Sequence, residues 1–202
     1  IGNATIGIFI SFGSNDNLIG GSAAVQGNVI AFNGTDGVTI GDASGSDTSV
    51  RNQVLGNSIF DNTGLGINLV DSSGVDTNDA GDADSTGGNN RQNFPVLSAA
   101  FVSSVNGKLI VGGSMDSALT PSKVQFFIAD AETSNYGEGK VYLAEAAAVA
   151  NGNFKTNALT PLSAVTAGQK LTATATTADG TSEFSLNIVV QGNTAPTAAA
   201  TA

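Results

Sequence analysis

Gly27-Asn28-Val29-Ile30-Ala31-Phe32-Asn33-Gly34-Thr35-Asp36-Gly37-Val38-Thr39-Ile40-Gly41-Asp42 returns 29 residues later as Gly56-Asn57-Ser58-Ile59-Phe60-Asp61-Asn62-Thr63-Gly64-Leu65-Gly66-Ile67-Asn68-Leu69-Val70-Asp71. A weaker copy stands earlier, where Gly7-Ile8-Phe9-Ile10 takes the place of Gly37-Val38-Thr39-Ile40. Self-similarity at such a period marks a solenoid, whose units cannot bury their apolar faces alone. Between the copies run Asn17-Leu18-Ile19-Gly20 and Gln53-Val54-Leu55-Gly56. Each period therefore holds several very short strands with an apolar-x-apolar pattern, separated by Gly, Asn and Asp turns. Strands so short persist only if successive coils stack with parallel hydrogen bonding around an apolar interior. The expected inward residues are Ile30, Phe32, Val38, Ile40, Ile59, Leu65, Ile67 and Leu69. Asn28 with Asn57, and Asn33 with Asn62, fall at equal positions in adjacent coils, where amides form ladders or occupy left-handed turns.

Through the motifs Gly-Asn-x-Ile and Asn-x-Gly-x-Gly-Ile, roughly the first 70 residues resemble the right-handed parallel β-helix repeats of secreted bacterial proteins. The stretch from Gly64 to Leu97, with Asn78-Asp79-Ala80-Gly81-Asp82-Ala83-Asp84 and Gln92-Asn93-Phe94-Pro95-Val96-Leu97, resembles the junction that follows such repeats in large exported proteins. That resemblance implies a cap on the solenoid, with Phe94 covering the last apolar coil. The repeat unit is expected to span residues 1–94, residues 71–94 forming an Asp-rich capping loop.

From Pro95 the pattern changes to longer strands with period-2 alternation: Val96 to Ser103, Lys108 to Gly113, Lys123 to Ala129, Lys140 to Ala148, Phe154 to Asn157, Lys170 to Thr177 and Ser185 to Val190. Asn106-Gly107, Asn151-Gly152 and Asp179-Gly180 supply turns between them. The alternation predicts an antiparallel β-sandwich over residues 95–191. Val124-Gln125-Phe126-Phe127, Tyr136 to Leu143, and Thr181-Ser182-Glu183-Phe184-Ser185 resemble the immunoglobulin-like domain that commonly follows β-helix segments. The expected fold is thus all-β, a short parallel β-helix joined to an immunoglobulin-like sandwich. Residues 192–202, small and uncharged, are expected to form a linker or tail.

With no Cys and no His, the chain holds no disulfide, no thiolate or imidazole metal site and no Ser-His or Cys-His catalytic pair. No apolar run approaches the roughly 18 residues of a membrane-spanning helix, so membrane insertion is not expected. The sequence opens at Ile1, partway into a repeat, as expected of a mature segment of a longer protein.

Residues 1–94 carry ten Asp, no Glu, and only Arg51 and Arg91, so most of the net charge of −10 lies there. Such a surface argues against nucleic acid and anionic lipid as partners, which need clustered positive charge. It suits cations. Asp71, Asp76, Asn78, Asp79, Asp82 and Asp84 have the composition of loops that wrap Ca²⁺ in hard oxygen ligands, although no Glu closes a twelve-residue loop as in an EF-hand. A structural Ca²⁺ is the cofactor implied; a solvated turn is the alternative. Asp42 and Asp71 would stack about 4.8 Å apart in adjacent coils.

The expected role is that of an extracellular structural module, adhesin-like or self-assembling. A first coil near Ile6 to Ile10 leaves unpaired strands, so self-association is expected through that solenoid edge, by head-to-tail stacking, or through the tail. A glycan or cell-surface ligand is a further expected partner. Enzymatic action on polysaccharide is the alternative. Glu138 and Glu183 would be its acid-base pair, or Arg51 its base beside several acids, whereas Glu183 after the Asp179-Gly180 turn more simply satisfies backbone donors. A carbohydrate-binding module would use Tyr136 and Tyr142.

Overall fold

A computed structural model describes residues 2–23, 25–44, 46–69, 74–130, 135–147, 149 and 151–193. The chain is all-β, 41% strand and 2% helical, in several separate sheets. The first half contributes β1 (Ile8–Ile10), β2 (Leu18–Gly20), β3 (Val29–Ala31), β4 (Val38–Ile40), β5 (Gln53–Leu55), β6 (Ser58–Phe60) and β7 (Ile67–Asn68). They pair only in parallel, as ladders β1-β4-β7, β2-β5 and β3-β6, with Ile8 opposite Val38, Leu18 opposite Gln53 and Val29 opposite Ser58. Because each strand pairs with its own repeat copy, a polypeptide coil lies on a coil, and the apolar positions fall into register without a designed turn.

The three ladders do not share one spacing. Asn28 and Asn57 are 29 residues apart, but Asn17 and Asn52 are 35 apart. A longer loop before β5 is offset by a shorter one after it, so the overall period survives.

Ile30, Val38, Ile40, Ile59, Ile67 and Leu69 are buried together, as expected from the sequence. Two of the expected inward residues differ. Phe32 is 60% exposed, because it sits in a left-handed corner after β3 (φ 62°) that turns its ring outward, edge-on to Phe60 at 5.6 Å. Leu65 is half-buried in the turn before β7, where its backbone is held by Asp36 Oδ1, which accepts from its N–H at 2.7 Å, and by the Gly37 N–H, which donates to its carbonyl at 2.9 Å.

The second half contributes β8 (Val96–Ser103), β9 (Leu109–Met115), β10 (Lys123–Ala129), β11 (Gly139–Ala147), β12 (Gly152–Lys155), β13 (Lys170–Thr177), β14 (Gly180–Thr181), β15 (Ile188–Val189) and β16 (Gln191–Asn193). One sheet runs β11-β10-β13 with β14 and β15 on β13; the other runs β12-β9-β8-β16. All pairs are antiparallel except β16 with β8. Residues 191–193 are therefore strand where a tail was expected from 192; residues 194–202 lie outside the described residues.

Leu109, Val111, Val124, Phe126, Leu171 and Ala173 form the centre of a core shared by the two sheets. The opposite face of β10 and β13 is buried as well: Gln125, Phe127, Thr172, Thr174 and Thr176 are 0–2% exposed. Phe127 and Phe184 belong to the same apolar cluster as Ile59, Ile67 and Leu69. One sheet thus has an apolar core on one side and the last coil on the other.

Candidate functional site

Each coil holds the one before it through asparagine. Asn33 N–H donates to Asn62 Oδ1 at 3.1 Å and Asn33 Nδ2 to the same atom at 2.7 Å, while Asn62 Nδ2 donates to the Ile30 carbonyl. Asn28 and Asn57 repeat the pattern, and so do Asn17 and Asn52. A buried amide side chain with both its ends bonded fixes register while leaving no orphaned polar atom.

The last coil has no following coil, and the second half supplies the missing groups. Glu138 accepts from Asn62 N–H at 3.1 Å and from Asn62 Nδ2 at 2.7 Å. Glu183 accepts from the N–H groups of Leu69 and Asp76, both at 3.0 Å. Gln125 Oε1 accepts from Gly56 N–H at 2.9 Å, and Thr181 Oγ1 from Val54 N–H at 3.0 Å. Asn89 does the same within the first half: its Oδ1 accepts from Asn52 N–H at 3.0 Å, and its Nδ2 donates to the carbonyls of Asn52 and Thr181. Asn89 reaches this position only because Asn89, Asn90 and Arg91 are all left-handed (φ 46°, 51° and 51°).

Both glutamates are 2% exposed. Burial pushes Glu183 up to about 8; the two N–H donors work against that rise, and the neighbouring Asp76 and Asp36 add to it. The space bounded by Leu65, Tyr136, Glu183 and Phe184 has no room for a water molecule. What Glu138 and Glu183 do here is terminate hydrogen-bond ladders.

Phe94, expected over the last coil, is buried instead against Tyr136, ring to ring at 5.6 Å. The apolar cover on the coil comes from Phe127 and Phe184, which meet edge to face at 5.4 Å.

The acidic loop is bonded inward. Asp82 accepts from Asn93 N–H at 2.7 Å, Gln92 Nε2 at 2.9 Å and Ser117 Oγ at 2.9 Å, which ties the loop to the second half. Asn78 exchanges two hydrogen bonds with the backbone of Phe94, and Asp79 takes the Ala83 N–H. Asp76 and Asp84 both face Arg91, at 3.8 and 4.0 Å. Burial raises the Asp76 carboxyl above its ordinary value, with Arg91 opposing. Among the described residues, no group of three or more carboxylates converges as metal ligands. Asp71 lies outside the described residues, and with it the expected Asp42–Asp71 stack.

Arg51 stands at a left-handed turn (φ 60°) and grips Asp16 of the coil above with two 2.7 Å bonds. It pairs with one acid rather than several, and its guanidinium holds the Asp16 carboxyl below its ordinary value. Tyr142, half-buried, packs on Phe127 and borders a cleft of about 400 Å³ with Asn28, Ser58, Lys140 and Ser163. Burial and nearby Glu145 push its hydroxyl up to about 12.

Sequence reasoning missed Asn17, Asn52, Asn89 and Gln125 as members of this system. The first three are separated by 35 and 37 residues, off the visible period, and Gln125 is 69 residues from its partner. No family model matches the chain, and no curated protein matches it. No helix among the described residues is long and apolar enough to cross a membrane.

Proposed function

We propose that the protein is an extracellular structural module, secreted or displayed on a bacterial surface, in which a short right-handed parallel β-helix is closed at one end by an immunoglobulin-like sandwich. The observation that carries this reading is the use of Glu138 and Glu183. The two buried carboxylates best suited to chemistry both spend their acceptors on the last coil. A junction so bonded keeps the two halves in one orientation, which suits a spacer or adhesin stalk better than a hinge-bending enzyme. Sensitive assays for new reducing ends and unsaturated sugars across acidic and neutral polysaccharides are the test. No turnover is expected; turnover abolished by Glu138→Gln or Glu183→Gln would make the protein a polysaccharide-active enzyme.

A glycan ligand is the second reading, favoured by the cleft where Tyr142 meets the polar groups of Asn28, Ser58, Lys140 and Ser163. An aromatic face beside hydroxyls and amides suits a sugar ring. Glycan-array binding that Tyr142→Ala abolishes would support it, and equal binding by the variant would remove it.

A further inference from the structure

We propose that Asn106 is a site of spontaneous covalent modification, where the backbone nitrogen of Gly107 closes on the side-chain amide and converts the asparagine to aspartyl and isoaspartyl residues. Glycine permits this because, without a Cβ, its nitrogen can turn onto the amide carbon before it. The sequence carries three Asn-Gly pairs, Asn33-Gly34, Asn106-Gly107 and Asn151-Gly152. The fold treats each of them differently.

Asn106 and Gly107 lie in the loop between β8 and β9, where residues 104–107 are all exposed. Gly107 is outside any strand, in a left-handed conformation (φ 67°), and a Cβ placed on it would meet nothing within 4 Å. Among the described residues nothing accepts a hydrogen bond from Asn106 Nδ2, the group that must leave. Asn106 Oδ1 accepts from the Lys108 N–H at 3.1 Å. That bond folds the side chain back over the Gly107 peptide and offers a donor to the negative charge that Oδ1 gathers as the ring closes. One bond opposes closure, from the Gly107 N–H to the Ser103 carbonyl at 2.9 Å, and it lies at the exposed end of the hairpin.

The other two pairs are held. Asn33 is buried, its Nδ2 donates to Asn62 Oδ1, and the Gly34 N–H donates to the Asn3 carbonyl at 3.0 Å. Asn151 Nδ2 donates to the Ser117 carbonyl, and Gly152 is already a residue of β12, opposite Met115. Closing either ring would pull a ladder apart.

Water is the only co-reactant. The Gly107 nitrogen bonds to Asn106 Cγ and gives its proton to solvent, while the Cγ–Nδ2 bond breaks and Nδ2 takes up a proton and departs as ammonia. Water then opens the cyclic imide at either carbonyl. Attack at Cγ yields aspartate, and attack at the main-chain carbonyl yields isoaspartate, whose backbone runs through Cβ and Cγ. Either product sets a new carboxylate beside Lys108. The change stays within the loop, because the β8–β9 ladder ends at Val102 and Leu109.

Peptide mapping of the full chain held in mildly alkaline buffer tests this, with fragmentation that separates aspartyl from isoaspartyl linkages. Asn106 is expected to convert to a mixture of both, and Asn33 and Asn151 more slowly by about tenfold or more, since local opening must come first. In denaturant the three rates should draw together. Overturning results are an Asn106 no faster than Asn33 or Asn151 in the folded chain, aspartate without isoaspartate at that position, or an order of rates that denaturant leaves unchanged. Asn106→Gln, on an exposed loop, should remove the first conversion with an unchanged Tm, and a first conversion that survives it would also overturn the assignment. Mass and linkage are the readout, so the outcome is independent of the polysaccharide and glycan assays.

Discussion

Glu138 stands to Asn62 as Asn62 stands to Asn33: in both pairs the backbone N–H meets a side-chain oxygen of the next layer at 3.1 Å, and the side-chain Nδ2 meets an oxygen of that layer at 2.7 Å. A residue of the second half thus occupies the place of the next coil's asparagine. The same holds for Asn89, which receives the Asn52 N–H as Asn52 receives that of Asn17. Capping here is imitation of a missing repeat rather than a lid of apolar residues alone.

Removing Glu138 leaves Asn62 with its backbone N–H and one of its two amide hydrogens unpaired, while Nδ2 keeps the Ile30 carbonyl. An unpaired buried donor costs about 1–3 kcal/mol, so Glu138→Ala should lose roughly 3 kcal/mol in denaturant unfolding. Glu138→Gln keeps one acceptor and should lose less. Equal stability of the alanine variant would show that the rung is not needed.

Glu183 makes stability depend on pH. Its carboxyl, raised by burial to about 8 in the fold, is ordinary in the unfolded chain. Below about pH 4.5 both states hold the proton and no penalty arises; between there and about pH 8 only the folded state holds it, so stability falls as pH rises. The full effect is on the order of 4 kcal/mol. Unfolding in urea at a series of pH values should show this decline in the wild type and a flatter profile in Glu183→Gln, which also loses one acceptor for Leu69 or Asp76.

Thr174 lies at 1% exposure with no partner for its hydroxyl. Valine keeps the shape and removes the unpaired group, so Thr174→Val should raise stability by about 1 kcal/mol. A lower Tm would show that the hydroxyl is satisfied in solution.

Asp79 and Asp82 accept hydrogen bonds from the chain itself, and Asp76 and Asp84 face Arg91 at 3.8 and 4.0 Å. Calcium at 100 times its dissociation constant would stabilise by about 2.7 kcal/mol. Differential scanning fluorimetry with Ca²⁺ and with chelator should show no shift. A rise with Ca²⁺ would place an ion on this loop, with Asp71 the first ligand to substitute.

The coils were legible because Gly, Asn and Ile recur at one period, and Ile30, Ile59 and Val38 with Ile67 needed nothing further to find their register. Phe32 was misjudged because alternation says nothing of a left-handed corner. The junction was hidden for another reason. Thr172, Thr174 and Thr176 alternate with Leu171, Ala173 and Ala175, the pattern of a sheet with one wet face, yet the last coil covers that face. Glu183 and Leu69 are 114 residues apart, and no local spacing announces such a pair. The acidic loop showed its composition but not its partners, since Asn93, Gln92, Ser117 and Arg91 claim its carboxylates only once the chain is folded.

Calorimetric unfolding of the intact chain tests most directly whether the second half completes the coil stack. The bonds from Glu138, Glu183, Gln125 and Thr181 require one cooperative transition, with calorimetric and van't Hoff enthalpies equal, and its division in the Glu138→Ala, Glu183→Ala double variant. Two resolved transitions in the wild type would mean that the halves fold independently and that the ladders end without the cap.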